Sequence, residues 1–331
     1  MKNTVKRIIA VLAAIIILTS SVLAFASCSE KTKYTVGICQ YMQHSALDSA
    51  TQGFKDALKA QLGDDVSFEE SNASGDGTLC STITDNFVSK GVDLILANAT
   101  PALQSAVKST KTIPVLGTSV TEYGVALGIE NFSGTVGGNI SGTSDLAPLD
   151  QQAQMVLDLV PNAKKVGILY CATEANSIYQ VKVVKEYLES KNITVTSYPF
   201  ADSSDVALIT KQAADNNDAL YIPTDNVAAS CTNAIFNAME NNKKPIITGD
   251  EGTLKGCGIA SLSISYYDLG YKTGLMAADI LTGKADISKM AVEYTPADKL
   301  TKLYNKAICE ALGIDTAALE EAGYTAVNID N

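Results

Sequence analysis

Polar side chains that could bind a charged small molecule follow short apolar runs at equivalent places in the two halves of this chain. Thr100 and Ser119 follow two such runs in the first half, and Asp225 and Asp250 follow the matching runs in the second half. Hydroxyls beside free helix N–H groups bind anions, whereas a desolvated carboxylate needs a cation. The two halves therefore differ in the charge that they would accept.

This difference predicts a zwitterionic ligand such as an amino acid. Its carboxylate needs N–H and O–H donors, and its ammonium needs a carboxylate, because desolvated charges must be paired. Each of these residues also has a plainer explanation. Thr100 precedes Pro101 at the start of a predicted helix, and Asp225 precedes another helix. A helix N-cap in either place would contribute about 1 kcal/mol, so both explanations stay open.

Further candidate binding residues lie in the loops after the first apolar run of each half. His44 is the only histidine, and it is either a binding residue or a structural one. Tyr41 either forms an apolar wall of a pocket or packs within its own half. In the second half, Ser177 is placed to cap its helix, which would direct Glu174 and Asn176 toward the ligand.

The chain lacks the signatures of an enzyme. No Gly-rich phosphate loop stands between a strand and a helix, and one histidine without a nucleophile–base pair leaves little acid–base chemistry. The six cysteines after Cys28 show no CxxC spacing and no Cys/His cluster. We therefore expect no catalysis, no cofactor and no metal. These cysteines are either buried free thiols, the prediction favoured here, or three disulfides.

An internal repeat predicts the fold. Val36-Gly37-Ile38 returns as Val166-Gly167-Ile168, and two later matches keep an offset of about 125–131 residues. Each half reads β-α-β-α-β, and continuous apolar strands joined by helices predict parallel sheets covered on both faces. We expect an α/β protein of two Rossmann-like lobes. Ligands of open parallel sheets bind beyond the carboxyl ends of the strands, so the polar residues would face one cleft.

The lobe boundaries follow from the same pattern. Residues 34–143 with 268–331 are predicted to form the first lobe, and residues 144–267 the second. Three chain crossings would then form the hinge between them.

The first 27 residues resemble the signal peptide of a bacterial lipoprotein. Three basic residues precede an apolar run at 8–18, and small residues lead to Cys28. The run is short for a membrane span. The resemblance implies cleavage before Cys28, diacylation of Cys28 and a tether over 28–33, which would hold the protein outside the cytoplasm on the bacterial cell membrane. A plain signal peptide or an uncleaved anchor is the alternative.

The charge balance excludes nucleic acid as a partner. Without residues 1–27 the chain has 22 basic and 36 acidic residues, a net charge of −14. Nucleic-acid binding requires dense Lys and Arg, whereas an acidic protein stays soluble beside an anionic membrane.

Six motifs in order over about residues 34–314 resemble the solute-binding lipoproteins of ABC transporters, in the tryptophan/tyrosine-binding group. The motifs are 40–48 (QYMQHSALD), 99–102 (ATPA), 144–145 (SD), 174–177 (EANS), 222–226 (IPTDN) and 249–252 (GDEG). Ser45 departs from the family, in which proline is common there.

The resemblance implies a type I periplasmic-binding-protein fold and an aromatic L-amino acid closed between the lobes. It further implies a monomer that delivers this ligand to an ABC permease and its ATPase. A receptor for branched amino acids, nucleosides or sugars, or a sensory ectodomain, is the alternative. The implied contacts are Thr100 and Ser119 on the carboxylate; Asp225 or Asp250 on the ammonium; Asn176, Ser177 and Asn226 as further hydrogen-bond partners; and Tyr41, His44 and Leu47 around the side chain.

Overall fold

The computed structural model describes residues 32–239 and 242–327. From Tyr34 onward the chain forms one compact unit. The predicted signal peptide, Cys28 and most of the tether lie outside the described residues. Within the described part, none of the helices has the length and apolar character needed to cross a membrane.

Strands and helices alternate along most of the chain. The strands are β1 (Tyr34–Gln40), β2 (Val66–Asn72), β3 (Leu94–Asn98), β4 (Val115–Val120), β5 (Ile140–Ser144), β6 (Lys165–Cys171), β7 (Thr194–Phe200), β8 (Ala219–Ile222), β9 (Ile246–Thr248), β10 (Ala260–Ser263), β11 (Glu293–Tyr294), β12 (Thr301–Tyr304) and β13 (Thr325–Ala326). The α-helices are α1 (Ser45–Leu62), α2 (Gly77–Lys90), α3 (Thr100–Ser109), α4 (Tyr123–Leu127), α5 (Leu149–Leu159), α6 (Ala175–Ser190), α7 (Val206–Asn216), α8 (Asn226–Ser230), α9 (Thr232–Met239), α10 (Glu251–Cys257), α11 (Tyr266–Leu281), α12 (Lys306–Ala311) and α13 (Thr316–Glu321).

Two sheets organise these elements into two α/β lobes. The first sheet has the order β11-β5-β4-β3-β1-β2, and all its pairs are parallel. The second has the order β13-β12-β10-β9-β8-β6-β7, in which only the β10–β12 pair is antiparallel. Every residue of β3, β4 and β8 is buried, as expected for parallel strands covered by helices on both faces.

Helix α11 returns from the second lobe to pack along α1 in the first. A Cβ added at Gly270 would overlap the backbone of Ala50, and one added at Gly53 would overlap the backbone at Tyr267. Glycine at these positions therefore allows the two helices to approach closely. Because α11 begins directly after a lobe crossing, this packing attaches the hinge to the first lobe.

The predicted membership of the C-terminal segment is wrong in part. Residues 268–331 were expected in the first lobe, but β12 pairs with β10 and β13 pairs with β12, which places both strands in the second sheet. The chain crosses between the sheets a third time between β11 and β12. The physical reason for this placement is that β12 forms an antiparallel pair with β10, in which Tyr304 pairs with Ala260 and Thr301 with Ser263.

The six cysteines of the described residues are free thiols. Five are buried, and Cys231 is partly exposed.

Candidate functional site

The carboxyl ends of strands from both sheets border one narrow cavity, which leaves only about 10 Å³ for the centre of a water molecule. Seven of the residues predicted from the sequence line it: His44, Leu47, Ser119, Asn176, Asp225, Asn226 and Asp250. Ala46, Thr121, Asp145, Thr224, Ala229 and Tyr266 complete the lining. Tyr41, Thr100 and Ser177 do not line it. This space is far below the range of about 300–1,000 Å³ for small-molecule sites, so the lobes must move apart to admit a ligand.

The first lobe contributes hydroxyls at the ends of β3 and β4. Ser119 has a φ of 54°, and Ala99, directly before Thr100, has a φ of 91°. Such strained backbone is found preferentially at functional sites. The Oγ of Ser119 and the Oγ1 of Thr100 are buried and have no hydrogen-bond partner. Thr100 is the first residue of α3 and does not line the cavity.

His44 connects the two lobes. It occupies the N-cap position of α1 without capping it, and its Nε2 lies 3.3 Å from the Oδ1 of Asn226 in the second lobe. Its Nδ1 is buried and has no partner. Burial lowers the pKa of His44, although the nearby carboxylate of Asp250 partly offsets this effect.

Asp225 serves mainly to hold its lobe together. Its Oδ1 accepts a hydrogen bond from the amide of Ala228 at 2.8 Å, as the N-cap of α8. Its Oδ2 accepts from the amide of Cys171 at 2.6 Å and from the Oγ of Ser177 at 2.7 Å. The predicted capping of its own helix by Ser177 is therefore wrong, because this hydroxyl is committed to Asp225.

Asp250 is also an N-cap, but a less occupied one. Its two oxygens accept hydrogen bonds from the backbone N and the Oγ1 of Thr253 at 2.8 and 2.7 Å. Burial raises the pKa of Asp250. Its carboxylate thus keeps capacity to accept a further donor from the cavity.

Glu174 orients two asparagines at the cavity wall. Its Oε2 accepts from the Nδ2 of Asn176 at 3.0 Å and from the Nδ2 of Asn226 at 2.6 Å. It also accepts the backbone amides of Asn226 and Val227. Burial, and next the charge of Asp225, raise the pKa of Glu174 to about 8. Because both Nδ2 groups point at Glu174, both amide oxygens are left for other partners, and the Oδ1 of Asn176 has none.

Asp145 is a cavity residue that the sequence-based site omitted. It directly follows β5, and its side chain is 4% exposed. Its Oδ2 accepts from the hydroxyl of Tyr266 at 3.0 Å, whereas its Oδ1 is buried without a partner. Burial raises the pKa of Asp145 to about 6. Its position at a strand end, like that of the other polar residues, is the signal that could have identified it.

Tyr41 packs in the apolar core of the first lobe. Burial, and next the charge of Glu174, raise the pKa of Tyr41 above its ordinary value. Tyr41 therefore belongs to the core of the first lobe and does not line the cavity.

The site has an excess of buried negative charge. Asp145, Asp225 and Asp250 line the cavity and are each at most 4% exposed, and none of the residues that line the cavity is a lysine or an arginine. No group of His, Cys, Asp and Glu in the described residues has an arrangement that could hold a metal ion. Buried carboxylates without a counter-ion favour a ligand that brings its own positive charge.

A larger cavity of about 480 Å³ lies beside the hinge and is open to solvent. Its charged side chains include the ion pair of Lys272 with Glu293, at 2.8 Å. None of the residues that line it carries a buried polar atom without a partner among the described residues. The unsatisfied hydrogen-bonding groups thus distinguish the interlobe cavity as the candidate site.

Two α/β lobes with mostly parallel sheets and a cleft at their strand ends define a type I periplasmic-binding-protein fold. Residues 35–322 match the family of ABC transporter substrate binding proteins. The chain belongs to this family.

Relatives of the chain extend over most of its length. It is 34% identical over 297 residues to a tyrosine-binding protein of Clostridioides difficile, covering 89% of this chain and 85% of the relative. A solved ABC domain of Streptococcus pneumoniae in complex with L-Trp is 31% identical, with a TM-score of 0.83. The match covers 89% of this chain and 100% of that one. A ligand-free, open substrate-binding protein with adhesive properties from Clostridium difficile is 33% identical with the same coverages, but its TM-score is 0.66. Although the two sequence identities are similar, the structure of this chain superposes better on the L-Trp complex than on the open form.

Proposed function

We propose that this protein is the extracytoplasmic binding lipoprotein of an ABC importer, and that it captures an aromatic L-amino acid between its lobes. The observation that carries the proposal is the set of buried polar atoms without partners at the cleft. The residues that line the cavity contribute His44 Nδ1, Ser119 Oγ, Asp145 Oδ1 and Asn176 Oδ1, and Thr100, outside the lining, adds its Oγ1. A buried polar group without a hydrogen bond is unfavourable by about 1–3 kcal/mol, so the site favours a ligand that satisfies several of them.

The ammonium of the ligand would bind among the acceptors at the hinge and the second lobe. Asp145 and Asp250 supply negative charge, and the amide oxygen of Asn176 supplies a neutral acceptor. Asp225 contributes less to direct binding, because its oxygens already accept three hydrogen bonds within the lobe. Of the two aspartates named from the sequence, the proposal therefore prefers Asp250 and adds Asp145.

The carboxylate of the ligand would bind to the first lobe. The hydroxyls of Thr100 and Ser119 lie at the ends of the neighbouring strands β3 and β4 and have donors to offer. Thr100 also begins α3, whose N-terminus favours an anion. Leu47, Ala46 and Ala229 then provide apolar contact for the side chain of the ligand.

The relatives support an aromatic amino acid as the ligand class. One is a tyrosine-binding protein and another was solved with L-Trp. Uptake would follow from closure of the lobes on the ligand and docking of the closed form on a permease. Diacylation of Cys28 would keep the protein at the membrane, since two acyl chains give a stable anchor. In this proposal the protein binds and releases its ligand as a monomer, without turnover.

A thermal-shift panel tests the proposal. Protein produced from Ser29 onward is unfolded and refolded to remove carried-over ligand, and its unfolding midpoint is measured with each amino acid, nucleoside and sugar. Binding to the native state raises the midpoint by mass action. Because the chain has no tryptophan, emission from bound L-Trp confirms binding directly. A rise with Trp, Tyr or Phe alone supports the proposal. A response only to branched amino acids, nucleosides or sugars refutes the ligand assignment.

A further inference from the structure

One hydrogen-bonded chain of side chains runs from the interior of the second lobe across the cleft to His44. It starts at Glu174, whose Oε2 accepts from the Nδ2 of Asn226 at 2.6 Å. It continues from the Oδ1 of Asn226 to the Nε2 of His44, at 3.3 Å. We propose that this chain fixes the tautomer of His44 so that its Nδ1 accepts a hydrogen bond from the ammonium of the ligand. The ligand contact rests on the proposed function, whereas the tautomer does not.

The orientation of the Asn226 amide is the first step. The amide could direct either its Nδ2 donor or its Oδ1 acceptor toward Glu174, and the hydrogen bonds of Glu174 decide between these two orientations. The Oε2 of Glu174 also accepts the backbone amide of Asn226 at 3.2 Å and the Nδ2 of Asn176 at 3.0 Å. Because Oε2 already faces these N–H donors, a proton on Glu174 would lie on Oε1, and a flipped Asn226 would still place its oxygen against an acceptor. Its Nδ2 is therefore held toward Glu174, and its Oδ1 faces His44.

The tautomer follows from this orientation. An amide oxygen can only accept, so the Nε2 of His44 must carry a proton to bond to it. In a neutral imidazole the other nitrogen then has a lone pair and accepts. Burial disfavours the charged ring and lowers the pKa of His44, which is consistent with a neutral side chain. The Nδ1 is thus a buried acceptor without a partner in the protein.

The protonation of His44 determines which group of the ligand can bind to its Nδ1. A lone pair repels a carboxylate and attracts an N–H donor. Asp250 and Asn176 line the same cavity and also present acceptors, so an ammonium fits and a carboxylate does not. Glu174 and Asn226 are then positioning residues. They select for an amino group by fixing the tautomer of His44, and of these three residues only His44 contacts the amino group.

Nitrogen NMR of the wild-type protein tests the tautomer directly. His44 is the only histidine, so protein produced without a polyhistidine tag and labelled on the histidine ring nitrogens gives one pair of signals. We expect a protonated Nε2 and an unprotonated Nδ1 at neutral pH. L-tyrosine should shift the Nδ1 signal, and its des-amino analogue hydroxyphenylpropionate should not. A proton on Nδ1 of the free protein, or on both nitrogens, overturns the proposal.

The variant Asn226→Leu tests the relay. It removes the amide oxygen that fixes the tautomer, so both tautomers should become populated. The affinity for L-tyrosine should fall at least about tenfold, the equivalent of one buried hydrogen bond, while that for hydroxyphenylpropionate falls less. Tyr187→Phe is the matched control, because it removes one hydrogen bond from α6 to Gln154 away from the cleft. An unchanged tautomer and an unchanged preference for the amino group in the leucine variant overturn the relay.

The two proposals fail in different ways. If the wild-type protein binds none of the aromatic amino acids, the proposed function and the ammonium contact are refuted, and the signals of the free protein still show whether the tautomer is as inferred. If L-tyrosine binds and the Nδ1 signal does not move, the proposed function stands and the role of His44 is refuted. Should Asn226→Leu fail to fold, the wild-type spectra alone decide.

Discussion

Replacement of Asp145 by asparagine should change ligand affinity and fold stability in opposite directions. Burial raises the pKa of Asp145 from its ordinary value of 3.8 to about 6. The folded pKa lies above the unfolded one, so this carboxyl destabilises the fold progressively as the pH rises from about 4 to 6. A shift of this size corresponds to about 3 kcal/mol at neutral pH. Asparagine carries no charge to bury, so the free variant should unfold at a higher temperature than the wild type.

Ligand binding should weaken in the same variant. Asparagine keeps an oxygen that can accept from an ammonium but loses the charge. A hydrogen bond to a charged group contributes about 1.5–3 kcal/mol, so the dissociation constant for L-tyrosine should rise about tenfold to 150-fold. Thermal unfolding with and without ligand, together with isothermal titration, measures both effects on one sample.

The comparison with Asp225→Asn makes the result specific. Asp225 accepts three hydrogen bonds within its lobe, so its replacement should lower the unfolding temperature of the free protein. If Asp145→Asn binds L-tyrosine as tightly as the wild type, Asp145 does not pair the ammonium. If the free variant unfolds at a lower temperature, the burial penalty assigned to Asp145 is wrong.

Three further experiments would test the pH dependence of binding, the packing of α11 on α1 and the strands β12 and β13. Affinity for L-tyrosine should fall about tenfold per pH unit below about pH 6, where Asp145 is protonated before binding. Titrations across pH measure this, and the slope should be shallower in Asp145→Asn, where Asp250, whose pKa burial also raises, remains. Gly270→Ala should destabilise the protein by about 1–3 kcal/mol, because the new methyl group overlaps the backbone of Ala50; urea unfolding measures this against Gly77→Ala, where nothing lies within 4 Å, and equal stability of the two variants would contradict the packing. A chain that ends at Leu300 lacks β12 and β13, so limited proteolysis should cut its second lobe first, and a resistant second lobe would show that these strands are dispensable.

The repeat explains why the sheets and several site residues were predictable from the sequence. Parallel strands are apolar throughout, and the residues after them necessarily gather at one edge. Ser119, Asp225 and Asp250 were found in this way, and they do line one cavity.

The features that sequence missed are those without a counterpart in the repeat. β12 is short and partly exposed, and it pairs antiparallel with β10, an arrangement that the first half does not contain. Asp145 lies at a lobe crossing, where the repeat has no second copy. The role of Glu174 depends on whether the side-chain amides of Asn176 and Asn226 face it with nitrogen or with oxygen. For Asn226 this is decided by its contacts with Glu174, 52 positions away in the sequence.

The third crossing of the chain also has a consequence for biosynthesis. The first sheet receives its edge strand only at Glu293–Tyr294, and the second receives β12 and β13 at residues 301–326. A ribosome delivers a chain from its N-terminus, and domains commonly fold in that order. Here the first sheet lacks its edge strand until residue 294 has been made, and the second until residue 326. The first lobe can therefore complete its sheet before the second, and the cleft has two complete sheets beside it only after β13 has been made.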